Sequence, residues 1–218
     1  MAGSAYFPRP AIRTSDTADA PRHSAVVRIT HWINTLSFFG LLISGIAILL
    51  AHPRLYWGET GNLETPSLLD LPLPFVLTGQ TGWGRSLHFL AAWVCVLNGL
   101  LYVLSGVLTQ HFRRDLAPRS LRGEEQPPTY NVLQRLTYLG VVFILFPLTI
   151  WTGLAMSPAI TSVFPALVTG LGGQQSARTI HFAAAGFLVL FLLVHVAMVC
   201  LAGFRNRVQA MITGKDRT

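Results

Sequence analysis

Charge is scarce in this chain. Only 11% of its 218 residues are charged, 9 of them acidic, where soluble domains carry about 25%. That shortage excludes an ordinary soluble globular domain. Cysteine is nearly absent too, with Cys95 and Cys200 the two present. On the depth assignment developed below, about 18 Å of helix rise separates them, which excludes a disulfide between them. Each reads as a small buried hydrophobe. Also missing is the apolar core of a cleavable signal peptide, since residues 1–28 are polar and rich in Pro and Arg. The first long apolar run is therefore expected to direct insertion itself.

Long apolar runs account for a chain that is 51% hydrophobic. A hydrocarbon core of about 30 Å needs roughly 20 apolar residues per helix. Four stretches qualify, at about 29–51, 84–109, 132–156 and 179–203. The third carries Pro147, which membrane helices tolerate better than soluble ones. The expected fold is an all-α integral membrane protein, a four-transmembrane-helix bundle over 24–207 with a long outer loop at 52–83. A flexible tail is expected at 1–23 and a further tail at 208–218.

The net charge of +7 is a topology signal rather than a nucleic-acid signal. Of the 16 basic residues, 13 fall before span one, around the 110–131 loop or after span four, leaving Arg54, Arg85 and Arg178 for the other side. The positive-inside rule places both termini, both tails and the 110–131 loop in the cytoplasm. No nucleic-acid partner is expected.

Depth then sorts the seven histidines. His181 and His195 are fourteen residues apart on span four, so they share a helix face about 21 Å apart along the axis. Imidazole is costly to bury in lipid, and an intramembrane ionisable group is a functional hypothesis by default. Span one enters from the cytoplasm, and spans two and four both return from the outer side. His88 therefore lies level with His181 near the outer surface, and His31 level with His195 near the cytoplasm. His52, at the outer end of span one, is the alternative to His88. His23 falls in the polar tail, and His111 is expected at the cytoplasmic surface.

Arginine precedes three of these histidines at the same distance, in Arg28-Ile-Thr-His31, Arg85-Ser-Leu-His88 and Arg178-Thr-Ile-His181. An i, i+3 pair shares a helix face, so each cation sits one turn nearer water. It can snorkel there, or it can meet an anionic carboxylate bidentately. Gly45 and Gly106 are in phase with the histidines, which suits either close helix packing or a flat group against the backbone. Four histidines split between two levels cannot form a tetrahedral zinc site. Two axial imidazoles per haem iron fit the arithmetic. Without a Cys-x-x-Cys-His sequence, covalent attachment is excluded. Two non-covalent b haems are therefore expected, with His31 and His195 on one iron and His88 and His181 on the other. Arg28, Arg85 and Arg178 would face the propionates. The second nitrogen of each ligand is expected to donate an orienting hydrogen bond.

The four spans, the Arg-Ile-Thr-His-Trp entry at 28–32 and the His181/His195 spacing resemble bacterial cytochrome b561 and the b-type subunits of nickel–iron hydrogenases and formate dehydrogenases. The resemblance covers about 24–207. It implies a di-haem cytochrome of the bacterial inner membrane that exchanges electrons with the quinone pool. It also implies a quinone site, for which His111, Arg114, Asn131 and Gln134 at the cytoplasmic end are candidates. The outer loop, with Tyr56-Trp57-Gly58-Glu59 and Leu71-Pro72-Leu73-Pro74-Phe75, reads as a docking surface beside a smaller one at 157–177. Trp57 and Tyr56 could equally be interfacial anchors. The expected partner is a periplasmic redox protein such as a molybdenum-cofactor enzyme, a hydrogenase or a c-type cytochrome. The alternative function is a stand-alone quinone-linked oxidoreductase acting on a small oxidant such as superoxide. A membrane anchor or transporter with structural histidines is disfavoured by the few intramembrane charges.

Overall fold

A computed structural model describes residues 24–62, 64–73, 81–108, 136–137 and 139–214. Ser24 opens the first helix, its hydroxyl accepting the Val27 N–H, and α1 then runs over Ala25–Ala51. A short hairpin follows, β1 (Arg54–Leu55) pairing antiparallel with β2 (Leu69–Asp70). The second long helix, α2, covers Thr81–Leu108. Beyond the undescribed 109–135, a π-helical turn at Val141–Leu145 leads into α3 (Phe146–Ala155). Two single turns follow, α4 (Pro158–Thr161) and α5 (Ala166–Thr169). Another long apolar helix, α6, spans Gln174–Leu201, and α7 covers Phe204–Thr213.

Three helices, α1, α2 and α6, are long and apolar enough to cross a membrane. Val141–Ala155 is a shorter apolar helix among the described residues. The chain is thus a mostly helical, multi-pass membrane protein. Of the third expected span, 132–135 and residue 138 lie outside the described residues.

Pro147 explains the π turn. Proline has no N–H for the residue 143 carbonyl, and its ring crowds that carbonyl. The chain answers with a wider turn, in which the Phe146 N–H reaches back five residues to Val141 O. A π turn admits one extra residue, which rotates the following face by about 100°.

The helices pack in two pairs, α1 along α2 and α3 along α6. Small residues let α1 and α2 approach. A Cβ built on Gly40 would lie 3.3 Å from the Ala91 Cβ, and one on Gly84 would lie 3.2 Å from the Ala47 Cβ. Asn98 is a polar clamp in the same interface. Its Nδ2 donates to Thr30 O and to Asn34 Oδ1, each at 2.7 Å. Cys95 and Cys200 are both free thiols.

The hairpin is tied to the start of α6. Gly58 O accepts the N–H groups of Gln175 and Ser176, and the Gly58 N–H donates back to Ser176 Oγ at 2.8 Å. Thr179 Oγ1 donates to Tyr56 O. These bonds satisfy helix N–H groups that would otherwise lack acceptors. Gly173, which precedes α6, has φ 118° and faces the Gly58 backbone so closely that no side chain fits there.

At the opposite end, part of the segment expected as a tail at 208–218 is helical. Residues through Thr213 are helical, and α7 folds back on the start of α1. Gly203, at φ 94°, makes the turn that separates α7 from α6. Arg28 donates to Ile212 O at 2.8 Å and Trp32 Nε1 to Met211 O at 3.1 Å. Carbonyls at a helix C-terminus lack intrahelical partners and favour a cation, which accounts for this docking. Residues 215–218 lie outside the described residues.

Candidate functional site: two facing histidine pairs

Two pairs of imidazoles face each other, one at each end of α6. His88 on α2 meets His181 on α6 with ring centroids 6.2 Å apart and planes inclined by 65°. This is the hairpin end. His31 on α1 meets His195 on α6 at 6.4 Å and 46°. This is the terminal end, where α7 docks. These are the two couples that depth alone brought together. His52 is placed differently. It follows α1 with an exposed side chain, and its backbone oxygen accepts a bond from the Arg178 guanidinium.

The spacing fits one metal atom between each pair. Metal–imidazole bonds of about 2 Å on both sides, plus roughly 1.2 Å from each Nε2 to its ring centre, give about 6.4 Å. Two ligands on one axis impose no fixed angle between ring planes, so 65° and 46° are both compatible. Among the described residues there is no group of three or more His, Cys, Asp or Glu able to hold an ion. Each pair offers two imidazoles, a donor set that would fit a group bringing further ligands of its own, as a porphyrin does.

Hydrogen bonds fix which nitrogen is available at the hairpin end. Ser44 Oγ lies 3.0 Å from His88 Nδ1, and Thr152 Oγ1 lies 2.9 Å from His181 Nδ1. Each hydroxyl has a single proton, which it donates to its own helix. Ser44 donates to Gly40 O at 2.6 Å and Thr152 to Leu148 O at 2.8 Å. With that proton placed on the helix, each hydroxyl is left able to accept from Nδ1–H. In that tautomer the lone pair is on Nε2, the nitrogen that would be left for a metal. Ser44 and Thr152 are completely buried.

Aromatic neighbours frame the other pair. Phe191 stacks on His195, centroids 5.9 Å apart and planes 26° apart, and Trp32 meets His31 edge-on at 5.5 Å. Asn98 holds Thr30 O, the carbonyl just before His31, so α2 steadies the turn that carries this ligand.

The three arginines lie at the two ends. Arg178 is half-buried and bonded to His52 O, and Arg85 is exposed one turn beyond His88. Both cations act on His52. Burial first, then Arg178 and Arg85, push its imidazole below the ordinary 6.5. Arg28 uses one guanidinium nitrogen on Ile212 O while its Nε is buried with no hydrogen-bond partner among the described residues. Gly45 lies against His88, and Gly106 is a buried position near the end of α2. His111, Arg114, Asn131 and Gln134 lie outside the described residues.

Sequence reasoning missed Ser44, Thr152, Gly153 and Asn98. The first three carried a readable signal, because a hydroxyl residue followed by glycine occurs in both helices, as Ser44-Gly45 and Thr152-Gly153. A Cβ on Gly45 would lie 3.7 Å from His88 Cε1, and one on Gly153 would lie 3.5 Å from His181 Cε1. Asn98 offered no comparable sign.

Comparison with known proteins places the chain in a family. A candidate protein-methionine-sulfoxide reductase subunit, YedZ1 of Azospira oryzae, is 29% identical over 198 residues, covering 82% of this chain and 90% of its own length. Residues 22–214 match the prokaryotic cytochrome b561 family, a span that includes all four facing histidines and the docked α7. The chain belongs to the prokaryotic cytochrome b561 family, whose members are membrane proteins carrying b-type haem.

Proposed function

We propose that this protein is a di-haem b-type cytochrome of the bacterial inner membrane, moving electrons between the quinone pool and a periplasmic redox partner. The observation that carries the reading is the pair of facing imidazole couples, 6.2 and 6.4 Å apart, at two levels of one helix. His88 and His181 would hold one b haem, His31 and His195 the other. Haem held by these residues would supply one-electron chemistry.

The chain's own part is positioning. The three long apolar helices and the shorter Val141–Ala155 would keep water from both sites. Arg85 and Arg178 at one end and Arg28 at the other would meet propionate oxygens, guanidinium being suited to carboxylates. The buried Arg28 Nε supports this reading. Basic residues at both termini put the His31–His195 end at the cytoplasm, and the hairpin end then faces the periplasm. A quinone site at the cytoplasmic end, with His111, Arg114, Asn131 and Gln134 as candidates, completes the path.

The partner is proposed to be a reductase subunit that docks against the hairpin. The relative named as a subunit of a protein-methionine-sulfoxide reductase supports that class, with a molybdenum-cofactor enzyme, a hydrogenase or a c-type cytochrome as the candidates. A quinol oxidised in that direction would give up two electrons and two protons, and the facing histidine pairs would hold the groups that carry the electrons one at a time. The tethered hairpin also favours a docking role over stand-alone turnover with a small oxidant.

The test is the haem content and spectrum of the purified protein. Two b haems per chain are expected, with loss of one in His195→Ala and of both in the His181→Ala, His195→Ala double variant. Normal haem content in the double variant would overturn the reading.

A further inference from the structure

The geometry points to Ser44 and Thr152 as positioning residues that set the reduction potential of the hairpin-end site alone. The inference rests on the two-haem reading above. Each hydroxyl sits on the helix packed beside the one that bears the ligand: Ser44 on α1 braces His88 on α2, and Thr152 on α3 braces His181 on α6. Both ligands of one site are thus held in the same way by the two halves of the molecule. The glycine that follows each hydroxyl lets the ring lie close along the bracing helix, with 3.7 and 3.5 Å to the position of an added Cβ.

Each brace is a short polarised chain. A helix carbonyl accepts from the hydroxyl, and in the Nδ1–H tautomer the hydroxyl accepts from the ring. Successive hydrogen bonds polarise one another in a low-dielectric setting. An acceptor at Nδ1–H raises the basicity of Nε2, which stabilises the more positively charged oxidised metal and lowers the potential. Reduction there adds one electron, breaks no bond and leaves the Nδ1 proton in place. Ser44 is thirteen residues beyond His31 on α1, about 20 Å along the axis, so the brace does not reach the other pair. That pair is flanked by Trp32 and Phe191 instead.

The experiment is a redox titration of the full-length, haem-loaded protein, followed by visible absorbance and low-spin electron paramagnetic resonance. In a Ser44→Ala, Thr152→Val double variant, haem content is expected to hold while one of the two components titrates at higher potential. The oxidised-to-reduced ratio of that component at fixed ambient potential should fall about tenfold, equivalent to about 59 mV for a one-electron couple. Its resonance line should shift, and the second component should keep both its potential and its line. The conservative pair Ser44→Thr and Thr152→Ser keeps the acceptor and should restore wild-type values. If neither component moves, if both move together, or if the conservative pair moves as far as the double variant, the inference is overturned. Wild-type protein with no b haem, or with a spectrum indifferent to His88→Ala, would instead show that the two-haem reading itself had failed.

Discussion

Gly58 and Ser176 exchange hydrogen bonds in both directions. The glycine N–H donates to the serine hydroxyl at 2.8 Å, and the glycine carbonyl accepts the serine N–H at 3.2 Å. This reciprocal pair fastens the hairpin to the first turn of α6, two residues before Arg178 and five before His181. Ser176 is completely buried, so Ser176→Ala leaves the Gly58 N–H without its acceptor. The loss should be about 1 kcal/mol, which lowers the melting temperature by about 2–4 °C in a chain of this size. Thermal unfolding in detergent, followed by circular dichroism, measures it. Haem content should be unchanged.

Gly153 separates tolerated from forbidden volume beside His181. A Cβ there would lie in ordinary contact, 3.5 Å from His181 Cε1, so Gly153→Ala should keep the wild-type spectrum. Gly153→Leu adds three further carbons in the direction of the ring and must displace it. That variant is expected to lose the haem of the hairpin end while the other is retained, leaving about half the absorbance per chain.

Asn98 is expected to matter for stability more than for redox chemistry. Its Nδ2 bonds two groups on α1, Thr30 O and Asn34 Oδ1. Interhelical hydrogen bonds in membranes are worth roughly 0.6 kcal/mol on average and up to about 1.7. Asn98→Leu should therefore cost about 1–2 kcal/mol in denaturant or thermal unfolding, with the His31-linked spectral component broadened because Thr30 adjoins that ligand.

His52 gives the fold a pH dependence. Burial, Arg178 and Arg85 hold its pKa below the unfolded value of 6.5, so the unfolded chain binds the proton more readily than the folded one. The stabilising difference is complete above pH 6.5 and is lost as pH falls through the depressed value. His52→Gln should flatten the melting temperature between about pH 7 and pH 5 relative to wild type, read by thermal scans at a series of pH values.

Much of this arrangement was readable from residue order because depth in a membrane is close to a linear function of position in a helix. Alternating span directions and charge asymmetry were enough to couple His88 with His181 and His31 with His195. The choice between His88 and His52 was not readable, since both fall near the same surface. It depends on which helix packs beside α6 and on the Arg178 bond to His52 O. The hydroxyl braces were written in the sequence as Ser44-Gly45 and Thr152-Gly153. Their register against the histidines depends on helix rotation, and in α3 on the π turn that Pro147 imposes. Helix α7 was not legible because its sequence is largely polar, and its docking depends on Arg28 and Trp32 reaching backbone carbonyls 184 and 179 residues away.

Helix α6 acts as a ruler between the two sites. It supplies one imidazole to each pair, and the rise between His181 and His195 is fixed by covalent geometry and backbone hydrogen bonds at about 21 Å. A thinner or thicker bilayer can tilt this helix, but the whole scale tilts with its marks. Electron exchange between the two sites should therefore be indifferent to lipid chain length. Exchange at the two ends, where the hairpin and α7 meet the surfaces, is where the surrounding membrane can act.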